Sequence, residues 1–105
     1  MSTTSISDSE FNSSVINQRK TAAVVFWASW DGGSRSFMPI FEQVAIENRF
    51  KLAFYKMDVD VCSSTVLAYS IRSVPTVVLL KAGQLSGQLV GAVTKAKLNM
   101  LIGGI

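Results

Sequence analysis

The chain has no histidine, one cysteine and two prolines among its 105 residues. The missing histidine excludes Ser-His-Asp and Cys-His catalysis, the HExxH zinc site and Cys/His zinc fingers. A lone cysteine, Cys62, excludes an internal disulfide, a four-cysteine metal site and a two-thiol redox centre. Charge is sparse too: charged residues make up 16%, and ten Lys+Arg against seven Asp+Glu leave a net charge of +3. The basic residues scatter from Arg19 to Lys97 and adjoin only at Arg19-Lys20. A nucleic-acid binder concentrates them in a stripe or patch, so no nucleic-acid partner is expected. The longest apolar run, Ala22 to Ala28, has seven residues, far short of the roughly 20 that a membrane-spanning helix needs, and no membrane partner is expected. The opening MSTTSISDSE lacks the basic and apolar segments of a signal peptide. With a cysteine content that suits a reducing compartment, the expected location is cytoplasmic.

Apolar residues are abundant, at 49%, which excludes a disordered chain. The length suits a single domain spanning residues 1–105, burying roughly two-thirds of its unfolded surface. Residues 1–6 are polar and are expected to be loose. Ser7-Asp8-Ser9-Glu10 looks like a helix start, with Phe11, Val15 and Ile16 on the apolar face and Arg19-Lys20 at the end. Ala22–Ala28 is a continuous apolar run suited to a strand covered on both faces. After a break at Asp31-Gly32-Gly33, residues 34–50 place Phe37, Phe41, Val44 and Ala45 at helical spacing, with Pro39 expected to kink the helix. Residues 51–58 read as a strand, 60–69 as a short helix and 74–80 as a strand. A turn at 81–84, a short strand at 88–91 and a helix capped by Thr94 complete the chain. Alternating strands and helices imply parallel crossovers, and the final hairpin adds an antiparallel edge. The predicted fold is a three-layer α/β/α sandwich, with a central mixed sheet of four to five strands flanked by four helices.

The stretch FWASWDGGSRSFMPIFEQVA, Phe26 to Ala45, resembles the active-site segment of thioredoxins, in which a buried strand leads to Trp-Cys-Gly-Pro-Cys and a proline-containing helix. KMDVD (Lys56 to Asp60), SIRSVPTVVLLKAGQ (Ser70 to Gln84) and Val90-Gly91-Ala92 resemble later family segments in the same order. The resemblance covers about residues 7 to 102 and implies the thioredoxin fold, with Pro75 as the family's cis-proline and Gly91-Ala92 in its substrate groove.

The departures concern chemistry. The family's cysteines fall at Asp31 and Ser34, its intervening Gly-Pro at Gly32-Gly33, and its buried acid at Val25. Thiol–disulfide exchange needs an attacking thiolate and a second thiol to release the mixed disulfide, and neither stands at the motif. No catalytic residue, metal or cofactor is expected there. Asp31 suits a helix N-cap accepting from the Ser34 N–H. Lys56 resembles the partner of the family's buried acid, and here is expected in solvent or paired with another acid such as Asp58.

The retained groove residues carry the functional expectation. Trp30, Val74, Pro75, Gly91 and Ala92 are expected to form an apolar surface accepting a protein or extended peptide. The chain is then a redox-inactive, thioredoxin-like binding scaffold or regulatory module, either a monomer or a weak dimer. Two alternatives stand beside it. One is a single-thiol redox sensor or enzyme acting through Cys62, whose thiol at a helix start is open to activation and to a disulfide-linked dimer, although the favoured reading of Cys62 itself is a small buried residue, as free cysteines commonly are. The other is an engineered variant of a thioredoxin disulfide reductase.

Overall fold

Residues 22–27 have no charged side chain to place in water, and the chain puts them at the centre of the sheet. In the computed structural model, which describes residues 3–104, strand β2 (Ala22–Trp27) lies between β3 (Ala53–Asp58), parallel to it, and β4 (Thr76–Lys81), antiparallel. The sheet order is β1-β3-β2-β4-β5, with β1 (Thr3–Ser5) and β5 (Gln84–Val90) at the edges. Alternation along the strands feeds two cores. One face buries Ala23, Val25, Phe54, Val77 and Leu79. The other buries Ala22, Val24, Phe26, Tyr55, Met57, Val78 and Leu80.

Helix α2 (Gly32–Glu47) and helix α4 (Lys95–Gly103) cover the first face through Phe37, Phe41, Val44, Leu98 and Ile102. The second face is covered by α1 (Asp8–Glu10), which runs on as a π-helical segment (Phe11–Ile16), and by α3 (Ser63–Ala68). Phe11 and Val15 insert there beside Cys62. The result is the three-layer α/β/α sandwich, with five strands in its sheet. Ser7 caps α1 in a capping box: its Oγ accepts from Glu10 N at 3.2 Å, while Ser7 N donates to Glu10 Oε1 at 2.9 Å. Thr94 Oγ1 caps α4 by accepting from Lys97 N. Helix α2 continues through Pro39, which has no N–H to offer the Arg35 carbonyl.

Most boundaries shift by two or three residues from the sequence expectation, with α2 at Gly32–Glu47, β3 at Ala53–Asp58 and β4 at Thr76–Lys81, and three differences have a visible cause. Residues 1–6 were expected to be loose, yet Thr3–Ser5 pairs with Phe54–Lys56 as an edge strand; Met1 and Ser2 lie outside the described residues. Strand β5 begins at Gln84 rather than 88, because Ala82 (φ 53°) and Gly83 (φ 80°) form a two-residue turn that pairs Lys81 with Gln84. Positive φ at both central positions is the tight hairpin geometry. A side chain on Gly83 would also meet the Arg19 backbone at 3.2 Å. Helix α3 begins at Ser63 rather than 60, because Asp58 closes a turn first, its carbonyl accepting from Val61 N and Cys62 N.

Candidate functional site at the α2 N-terminus and the Pro75 loop

Strand β2 delivers the chain to the sheet's end, where Trp30 emerges 65% exposed. Asp31 follows in extended conformation (φ −93°, ψ 124°) as the N-cap of α2. Its Oδ2 accepts from Ser34 N at 2.7 Å, as the sequence led us to expect. Ser34 is fully buried, and its Oγ accepts from Ala28 N at 3.2 Å. Both side chains that stand at the motif are therefore held in hydrogen bonds, Asp31 to the start of α2 and Ser34 back to the end of β2. Gly33 packs close to both partners of the site: a Cβ there would lie 3.3 Å from Asp31 Oδ2 and 3.6 Å from Pro75 Cδ.

The Val74–Pro75 bond is cis, as the resemblance implied. Pro75 O accepts from Gly91 N at 2.8 Å, and Thr76 Oγ1 donates to Ser73 O at 2.8 Å. These bonds fix the loop against β5 and set Gly91 beside Pro75, at a φ of +90° that side-chain-bearing residues rarely adopt. Trp30 and Val74 line one cavity of about 330 Å³, together with Val59, Val66, Ile71, Arg72 and Ser73. A neighbouring depression of about 440 Å³ shares Val59, Val66, Ile71 and Arg72 and extends to Ser63, Leu67 and Ser70. Trp30 is steadied by Asp60, whose carboxylate oxygens accept from the indole N–H at 3.0 and 3.3 Å.

The structure thus brings Trp30 and Val74 together in one cavity, and Gly91 to Pro75. Ala92 is exposed next to Gly91 but does not line that cavity, and neither do Asp31 and Ser34. Sequence reasoning missed Val59, Val66, Leu67, Ile71 and Arg72. One signal was present: a six-residue helix with more apolar side chains around it than one face can bury.

Two further side chains had more than one expectation. Cys62 caps no N–H with its side chain and is only 1% exposed, on the sheet face opposite α2, with its thiol donating to Ile6 O at 3.6 Å. Burial pushes the thiol pKa up, and the negative charges of Asp8 and Asp58 add to the rise. Cys62 is thus the small buried residue that a free cysteine commonly is, and the alternative of activation at a helix start does not hold: burial raises its pKa, and Asp8 occupies that N-terminus. Its carboxylate accepts from Ser64 N, Thr65 N and Thr65 Oγ1. Lys56 lies in register with buried Val25, and its ammonium sits 5.5 Å from the centroid of the Trp27 ring rather than against Asp58, a cation–π contact. Among the described residues, no group of three or more His, Cys, Asp or Glu is placed to hold a metal ion, and no helix is long and apolar enough to cross a membrane.

The order of these elements, the cis-proline loop beside a helix N-terminus and the sheet topology agree with sequence comparison: the thioredoxin family model matches residues 2–103. The chain belongs to the thioredoxin family. It is 37% identical over 97 residues to a thioredoxin of Acidithiobacillus ferridurans, covering 92% of this chain and 90% of that one. Identity to a thioredoxin of Mycobacterium tuberculosis is 35%, covering 91% and 83%. It is 38% identical to the chloroplastic thioredoxin M4 of Arabidopsis thaliana over 92% of this chain, which spans 50% of that relative's length. Within a thioredoxin scaffold, the positions where the motif resemblance places two cysteines hold Asp31 and Ser34, and the single thiol lies buried in the core beneath the other face of the sheet.

Proposed function

We propose that this thioredoxin-family chain works by binding rather than by dithiol exchange, holding a protein or extended peptide in the groove between Trp30 and the Val74–Pro75 loop. The observation that carries this reading is that Asp31 and Ser34 stand at the motif, held to the α2 N-terminus and to Ala28 N respectively. It leaves the motif with neither a thiolate to attack a disulfide nor a thiol to resolve one. The groove needs no sulfur: it consists of an exposed indole, a cis-proline loop and apolar walls, the elements that recognise an extended chain through backbone bonds and side-chain pockets. A reducing compartment suits a lone free thiol, and the cytoplasm is the location we propose, with the protein as a monomer or weak dimer.

Two measurements test the reading together. The purified protein is expected to show no turnover in insulin reduction with dithiothreitol or with a thioredoxin reductase, and turnover there would overturn the claim of redox inactivity. An affinity pull-down is expected to recover a partner with the wild type and lose it with Trp30→Ala and with Val74→Asp. Recovery unaffected by both substitutions would remove the groove from the function.

A further inference from the structure

We infer that the cleft beside edge strand β1 binds a small apolar monocarboxylate, held at Lys56, Trp27 and Thr3. This cavity, about 440 Å³, lies between Thr3 of β1, Trp27 of β2, Lys56 of β3 and one side of α2. It shares no residue with the cavity lined by Trp30 and Val74, so the inference stands whether or not a peptide binds there. Three donors line it without an acceptor. Trp27 Nε1 is buried and has no hydrogen-bond partner among the described residues. Neither has Thr3 Oγ1, on a side chain only 6% exposed. The half-buried Lys56 has its ammonium 5.5 Å from the centroid of the Trp27 ring, and among the described residues it makes no hydrogen bond or ion pair. Buried polar groups are normally paired. Here the group that would answer all three is the same: an acceptor, and for Lys56 a negative one. A carboxylate takes several donors at once. Charge then sets the ligand's valence. The charged residues of the cavity are Lys56, Arg35 and Glu42, one positive charge in excess. A monoanion balances the site, whereas a second negative charge would face the Glu42 carboxylate. Met38, Pro39 and the Trp27 ring supply an apolar wall, and a volume near the lower end of ligand pockets suits a body of about one ring.

Titration of the nitrogen-labelled full chain with sodium benzoate at constant ionic strength tests this, read from the indole N–H resonances in proton–nitrogen correlation spectra. The Trp27 resonance is expected to move saturably, with a Kd on the order of 1 mM, while that of Trp30 stays in place. Benzamide, which lacks the charge, and inorganic phosphate, which lacks the apolar body, should leave Trp27 unmoved. Lys56→Met and Lys56→Gln are each expected to weaken benzoate binding about tenfold. Lys56→Arg, which keeps the charge and the donors, should retain most of it, and Thr3→Val should weaken it. The same spectra show that each variant is folded. No saturable shift of Trp27 in the wild type would overturn the inference. So would a response to benzamide or phosphate equal to that to benzoate, or benzoate binding that is indifferent to the Lys56→Met and Lys56→Gln substitutions.

Discussion

Asp8 caps the third helix from the first: its Oδ1 accepts from Thr65 Oγ1 at 2.6 Å and from Thr65 N at 2.9 Å, while Oδ2 accepts from Ser64 N at 3.2 Å. The Thr65 hydroxyl bond is the largest of the effects that hold the Asp8 pKa below its ordinary value, and the two backbone bonds add to it against a smaller rise from burial. A lowered folded-state pKa means that the ionised carboxylate stabilises the fold above its unfolded pKa of about 3.9, and that this stabilisation fades as pH falls through the lower folded value. Asp8→Asn is therefore expected to be less stable than wild type at pH 7, by about 1 kcal/mol, because a neutral amide accepts these bonds less strongly than a carboxylate. Denaturant melts over a pH series should show the gap closing below about pH 4. A gap of the same size at pH 2 would rule out the charge as its source.

Asp31 performs the equivalent local role for α2, and its replacement separates capping from chemistry. Asp31→Ala removes the acceptor of the Ser34 N–H and is expected to cost about 1 kcal/mol, a fall in melting temperature of roughly 4–8 °C in a domain of this size. Peptide binding in the groove should persist, since Asp31 does not line that cavity. An unchanged melting temperature would show that the cap contributes nothing to stability.

Gly33 lies in the first turn of α2, where proline has a preset φ and the N–H is not needed within the helix. No hydrogen bond of the Gly33 N–H is found among the described residues, and a Cβ there would press on Asp31 Oδ2 at 3.3 Å. Gly33→Pro should raise the melting temperature by about 3 °C through the lost unfolded-state entropy, if the carboxylate yields a few tenths of an ångström. A fall would show that this close approach outweighs the entropy.

What was legible in the sequence was local or strongly patterned. The run at β2 admits no solvent-facing side chain, and Asp31 before Gly-Gly-Ser at a break announces a cap. What was not legible depends on distant chain segments. Thr3–Ser5 has no apolar period and becomes a strand only by pairing with β3. The Asp8–Thr65 bond spans 57 residues. Cys62 looks like an activated thiol when only its position before α3 is considered. Two distant facts reverse that: the first helix covers it, and Asp8 takes the free N–H groups. Trp30, Val74 and Pro75 were found through the family motif, whereas Leu67 and Arg72 enter the site only because α3 packs beside Val59.

The burial of Cys62 predicts silence towards thiol reagents. In the native protein at pH 8, iodoacetamide should react on the order of a hundredfold more slowly than in guanidinium, because alkylation requires both thiolate and access. Intact-mass spectra over time check this. Rapid native labelling, or a dimer that disappears with reductant, would place the single-thiol reading ahead of the binding one.

The last prediction asks whether the scaffold still supports the chemistry its motif lacks. Asp31→Cys/Ser34→Cys restores two thiols at an α2 N-terminus whose N–H groups favour a thiolate. Ser34 is fully buried against Ala28, which suits a resolving thiol shielded from solvent. Proton transfer still lacks its acid, because Val25 stands in register with Lys56 in the core. The double variant should therefore reduce insulin slowly. Adding Val25→Asp should raise the rate about a hundredfold, the lower end of what a positioned acid–base group contributes, while lowering stability by about 2 kcal/mol or more for the buried carboxylate. Rate and melting temperature moving in opposite directions is the signature to seek. A double variant as fast as the triple would show that residue 25 is irrelevant to exchange.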